Sequence, residues 1–258
     1  MDNIIEIGTC RLLAAYVFLI LLLLITWKQG IGREKEIFFA TFRMTFQLVL
    51  VGYLLVFVFD FNHFLITILI FLSMETFAIF NVFKRIKVNI NKKMKQIIGL
   101  AIFTGTAFPI VYFLLVVINV QPWYEARFFI PIAGVLIGNS MTGITLGAER
   151  LINGMKNQRE LVEGALMLGA NPLQAAKPVI NEAFNAAIIP TINSMVGMGI
   201  VFLPGMMTGQ ILAGISPLIA IEYQIALMLG LTGSVSLTVF ILMQLGYKSF
   251  FNNRDQLI

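Results

Sequence analysis

Charge is scarce in this chain. Only 12% of its 258 residues are Asp, Glu, Lys or Arg, while 59% are hydrophobic and the mean hydropathy is +0.89. A soluble domain carries about 25% charged residues. Most of this chain therefore sits where charge is costly, which excludes a soluble globular fold and predicts an all-α, polytopic transmembrane protein. A single transmembrane domain over 1–258 is expected, with no room for a soluble one. The only cysteine, Cys10, excludes an internal disulfide, and the only histidine, His63, excludes a multi-histidine metal site. Aspartate occurs only at Asp2, Asp60 and Asp255. There are no paired intramembrane carboxylates, no H-E-x-x-H and no cysteine–histidine pair, which argues against an enzyme embedded in the membrane. No G-x-x-x-x-G-K-[ST] loop occurs, so the chain does not itself cradle ATP phosphates in the usual way.

What is abundant is long apolar runs. Seven are long enough to cross a hydrocarbon core, near 8–27, 38–59, 64–83, 97–119, 128–148, 184–209 and 218–245. The first follows Asp2 and Glu6, lacks a basic leader and has no small-residue cleavage site, so it reads as a retained span. A short turn, Asp60-Phe61-Asn62-His63, leads into the third. The basic residues then orient the chain. Lys28, Arg33 and Lys35 follow span one; Lys84, Arg85, Lys87, Lys92, Lys93 and Lys95 follow span three. Arg150, Lys156, Arg159 and Lys177 follow span five, and Lys248 and Arg254 follow span seven. With seven spans all of these share one side, which the positive-inside rule makes cytoplasmic. The N-terminus is then outside and the C-terminus inside, in a multi-pass protein of the cell membrane. The net charge of +5 belongs to topology and lipid headgroups, because its charges are dispersed in short loops and offer no nucleic-acid surface.

A polar island, Arg150 to Glu182, separates spans five and six. Arg159 to Leu168 is a run of helix formers apart from Gly164, and Gly169 suits the left-handed position that ends a helix. Asn171 is a favoured N-cap, Pro172 fits the first helical position, and Gln174 falls where a capping box needs it. The spacing predicts helix, sharp turn, helix. Gly164 and Ala165 leave room for another surface, and Glu163 offers it a charge. An ordinary interfacial helix with normal caps is the alternative.

The spacing Glu163, Ala165, Gly169, with Gly164 in place of a second alanine, resembles the EAA coupling loop of ABC transporter permeases. Their downstream Ile-x-Leu-Pro is absent; Val179-Ile180-Asn181-Glu182 stands there. Leu203-Pro204-Gly205-Met206-Met207-Thr208-Gly209-Gln210, then Ile211-Leu212-Ala213-Gly214 and Ser216-Pro217, resembles the signature of one permease family. That family includes the bacterial iron-export permease FetB (YbbM) and the plant aluminium-tolerance half-transporters. Ile137-Gly138-Asn139-Ser140-Met141 and the Leu168-Gly169-Ala170 turn fit it too, so the likeness runs from about Pro131 onward. The resemblance implies a permease domain whose loop at about 150–182 contacts a separate ABC ATPase subunit through Glu163, Gly164, Ala165, Gly169, Ala170 and Asn171. It implies that this chain holds no cofactor, with ATP and Mg on the partner, and that iron or another metal is moved, by export in the named relatives. Seven spans are too few for a full pathway, so two copies of the chain with two ATPases are expected.

Residues that could line a path are few. Glu75 lies deep in span three, where a charge costs roughly 3 kcal/mol on insertion scales, and so faces protein or water. Arg43 and Gln47 in span two are possible partners, an ion pair of purely structural use being the alternative. Asn139, Ser140 and Met141 in span five, Met206 and Met207 in span six, and Gln210 just beyond it complete the candidate path. Glycine pairs 134/138 and 143/147 in span five are steps that let helices pack closely, and Pro204 should kink span six. Met195, Met198, Met206 and Met207 crowd span six; thioethers suit soft ions, and apolar filler is the alternative. Without cysteine or histidine beside them they form no site for Fe(II) or Zn(II), and the metal stays unassigned. A secondary carrier, ion- or proton-coupled through Glu75, is the rival reading; it would be expected to show inverted repeats, and the halves show none.

Overall fold

The computed structural model describes residues 8–61, 63–86, 88, 90–252 and 254–257; Asp2, Glu6, Asn62 and Lys87 lie outside the described residues. It is built from helices: α1 (Thr9–Ala15), α2 (Val17–Lys28), α3 (Glu34–Phe61), α4 (Phe64–Arg85), α5 (Lys92–Tyr112), α6 (Ala126–Asn157), α7 (Arg159–Met167), α8 (Pro172–Gly197), α9 (Gly205–Leu212) and α10 (Pro217–Gly246). No strand forms among the described residues. Six helical stretches are long and apolar enough to cross a membrane: Thr9–Lys28, Glu34–Phe61, Phe64–Arg85, Lys92–Val117, Ala126–Asn157 and Pro217–Phe250. These correspond to six of the seven expected segments.

The remaining segment, span six at 184–209, is two helices with a break. α8 ends at Gly197 and α9 starts at Gly205. Gly199 has φ +82°, a conformation costly for a residue with a Cβ, and Pro204 brings no amide hydrogen to a ladder. The expected kink is thus a full interruption. α8 also begins twelve residues earlier than the apolar run, at Pro172, with Pro178 and Pro190 inside it.

The chain divides into two compact units. The first, Met1–Phe61 with Leu212–Gly214, contains α1 to α3, whose apolar side chains are almost all exposed. Exposed leucine, isoleucine and phenylalanine side chains of this kind suit lipid. Within this unit Tyr16 Oη lies 2.6 Å from Thr45 Oγ1.

The second unit, Asn62–Ile211 with Ile215–Ile258, is a bundle centred on α6, which packs on α4, α5, α8 and α10. His63 caps α4 by accepting a hydrogen bond from the Leu65 amide at 3.2 Å, and Asn91 caps α5 by accepting one from Met94 at 2.7 Å. Small residues set the spacing, as expected between membrane helices. A Cβ on Gly143 would meet Val235 at 2.8 Å, and one on Gly147 would meet Met243 at 3.1 Å and Ala187 at 3.2 Å. The 143/147 step therefore seats α8 and α10. The 134/138 step does less, because nothing lies within 4 Å of a Cβ at Gly138.

Candidate functional site

The candidate residues fall in two places: the corner between α7 and α8, and the polar and sulfur-bearing side chains of the bundle.

At the corner, α7 buries Val162, which is only 2% exposed. Ala165 and Ala170 pack against the same core. The helix closes as its sequence demands. Gly169, at φ +91°, donates its amide hydrogen to Leu166 O at 3.0 Å, and Ala170 donates to Ala165 O at 3.0 Å. This pair of bonds is the Schellman C-cap. One residue on, Asn171 Oδ1 accepts from the Gln174 amide at 2.8 Å, and Gln174 Oε1 accepts from the Asn171 amide at 3.1 Å. That reciprocal capping box, followed by Pro172, starts α8. Two helix ends are thus satisfied across Gly169–Asn171, leaving a firm corner.

Outward from that corner stand Leu161, Met167 and Leu168, 72%, 86% and 91% exposed. A Cβ on Gly164 would meet nothing within 4 Å. Glu163 accepts a hydrogen bond from Arg159 Nε at 2.8 Å, an exposed pair worth about 0.3–0.5 kcal/mol that is readily exchanged for another partner. Behind the corner, Arg150 pairs with Glu182, and Gln158 Nε2 donates to the same carboxylate at 3.3 Å, tying α6 to α8. Beside Asn171 and Leu173, a cleft of about 490 Å³ is lined by Lys93, Lys248 and Asp255.

In the bundle, the candidate path residues do not converge. Glu75 on α4 is 2% exposed and hydrogen-bonded through Oε1 to the Thr106 hydroxyl of α5. Its Oε2 is buried with no hydrogen-bond partner among the described residues. Ser140 points into the α6–α10 interface, 3.0 Å from Ser234 Oγ. Ser234 spends its own proton on Gly105 O at 2.9 Å, so Ser140 is the donor between the two. Asn139, its neighbour, folds back onto Val135 O at 2.8 Å on an exposed face. Met141 and Met206 are partly buried against core side chains, and Gln210 is partly exposed.

Met207 goes elsewhere. With Met195, Met198 and Met228 it lines a cavity of about 410 Å³ beside the break between α8 and α9. Gln224 of α10, 7% exposed, lines it too and donates from Nε2 to Met198 Sδ at 3.7 Å. The sequence reading missed Thr106, Gln224 and Met228. The available signal was an amide inside the apolar run of α10, one turn before a methionine.

The family model described as "Uncharacterised protein family (UPF0014)" matches residues 9–251. "Protein ALUMINUM SENSITIVE 3" of Arabidopsis thaliana is 35% identical over 250 residues, covering 97% of this chain and 90% of that one. "Probable iron export permease protein FetB" of Escherichia coli (strain K12) is 32% identical over 244 residues, 95% of this chain and 92% of that one. "UPF0014 membrane protein YjkA" of Bacillus subtilis (strain 168) is 35% identical over 241 residues, 93% and 94% of the two chains. The likeness therefore extends through the first half as well as from Pro131 onward. No solved structure matches the chain.

Proposed function

The chain belongs to the UPF0014 membrane protein family, and from that premise we propose that it is the permease subunit of an ATP-driven transporter, energised by an ABC ATPase on a separate chain. The observation that carries this reading is the capped corner at Gly169–Asn171 with Leu161, Met167 and Leu168 bare around it. Exposed leucines on a loop between helices cost solubility unless something covers them. A corner held by a Schellman cap and a capping box transmits force, because neither helix end has slack. Basic residues around the loop support a cytoplasmic side for it, where ATP is. ATP and Mg bind the partner. Glu163, Gly164, Ala165, Gly169, Ala170 and Asn171 form the coupling face, and the Lys93–Lys248–Asp255 cleft extends it. Two copies of the chain, in the plasma membrane, enclose the path. The name of the Escherichia coli relative supports a metal ion, iron among them, as substrate and export as direction.

The test is capture of ATP hydrolysis. A tagged chain purified from its own membranes should bring down an ATPase activity that Leu168→Asp removes while the size-exclusion profile stays unchanged. Undiminished capture by that variant would overturn the coupling role. A second reading, a proton-coupled carrier, draws on the unpaired Oε2 of Glu75. It requires uptake into sealed vesicles driven by a proton gradient without ATP and abolished by Glu75→Gln.

A further inference from the structure

The geometry points to a binding site for a soft monovalent cation, of the Cu(I) or Ag(I) type, in the cavity beside the break between α8 and α9. Met195 and Met198 reach it from the end of α8, Met207 from α9 and Met228 from α10. Four of the thirteen methionines of the chain thus meet around about 410 Å³. Thioethers are soft ligands that select Cu(I) over Fe(II) or Zn(II), and they need no deprotonation to bind. The ligands stay neutral, so the loaded site would carry only the single positive charge of the ion.

Apolar filling alone explains the methionines poorly, for three reasons. Methionine used as filler closes gaps, and here a cavity of about 410 Å³ remains beside four of them. One sulfur is also already addressed by a buried polar group: Gln224 Nε2 donates to Met198 Sδ at 3.7 Å. A buried amide whose bond is to a weak thioether acceptor is only partly satisfied, and so is poised to turn when a better partner arrives. Finally, the backbone beside the cavity is non-helical from Met198 to Pro204. Gly199 and Leu203 of this stretch line the cavity, and irregular backbone within a bilayer is tolerated where it lines one.

The experiment uses the full chain in lipid nanodiscs, without ATP, titrated anaerobically with Cu(I) against a chromophoric chelator. The expected result is one Cu(I) per chain, with sulfur neighbours in the X-ray absorption spectrum of the loaded wild type. Met195→Leu, Met198→Leu and Met228→Leu together should weaken binding by about tenfold or more, with Leu chosen to conserve volume. Met44→Leu, exposed on α3, should bind as wild type does. Fe(II) under the same conditions should not displace Cu(I). A wild-type spectrum with no sulfur shell overturns the proposal, and it does so even where the triple variant fails to fold. Equal affinity in the folded triple variant also overturns it. Because binding is read on this chain alone, the result stands or falls separately from ATPase capture.

Discussion

Gly105 on α5 lies directly against Thr238 on α10: a Cβ added to Gly105 would sit 2.6 Å from Thr238 Cα. The obstacle is backbone, which cannot swing aside as a side chain can. α5 and α10 would have to separate, opening the core around Ile102, Val235 and Val239. Overpacking of this kind costs about 1–3 kcal/mol. Gly105→Ala should therefore lower the free energy of unfolding in detergent by that amount, read by denaturant titration, and Gly105→Val should abolish a monodisperse size-exclusion peak.

Removing the hydroxyl of Ser234 should cost more than removing that of Ser140. Ser140 loses one hydrogen bond, whereas Ser234 serves as acceptor for Ser140 and donor to Gly105 O. Ser234→Ala leaves both the serine hydroxyl and the carbonyl short of a partner in a dry interface. Hydrogen bonds between membrane helices average about 0.6 kcal/mol in double-mutant cycles. Ser140→Ala should cost about that, Ser234→Ala about twice as much, and the pair should couple non-additively in the same titration.

Thr106 is the one side-chain partner shown for Glu75. Thr106→Val would leave both carboxyl oxygens without a donor in the bundle interior, at a cost of about 1–3 kcal/mol. With Glu75→Leu already in place, Thr106→Val has little to lose. The expected signature is strong destabilisation in the wild-type background and near neutrality in the Glu75→Leu background. Equal costs in both would assign Thr106 to ordinary packing.

Local rules carried the sequence reading as far as local rules reach. The six apolar stretches are legible because a bilayer demands about 20 apolar residues regardless of what packs beside them. The corner at Gly169–Asn171 is legible because caps are written in consecutive residues. The break after Gly197 is legible only as the kink expected from Pro204, because hydropathy averages over a window and cannot see that Gly199 takes φ +82°. Side chains that meet across helices are hidden as well. Adjacent residues on a helix point about 100° apart, so Met206 joins the core with Phe71 and Ile137 while Met207 faces the cavity. Nothing in the order of residues announces that Met228, twenty-one positions later, meets Met207 there. Ser140 and Ser234 are likewise unremarkable in sequence until α6 and α10 face each other.

The two glycines of the corner separate stability from docking. Gly164 lies inside α7, and a Cβ there meets nothing within 4 Å. Gly164→Ala should stabilise the helix by about 0.5–1 kcal/mol, since glycine in a helix interior is costly to order. Gly169 sits at φ +91°, where a side chain costs about 1–3 kcal/mol. Gly169→Ala should therefore loosen the corner, and its effect should show as faster amide exchange at Ala170 and Asn171, whose amides close the two caps. Neither change touches the bundle core, so a loop with no partner would transport normally with both. A coupling face predicts a different pattern. Gly164→Ala adds one methyl and should retain ATPase capture. Gly164→Trp, with open space around it in this chain, should fold equally well and lose capture because the partner occupies that space. Transport unaffected by Gly164→Trp and Gly169→Ala together would place the partner elsewhere.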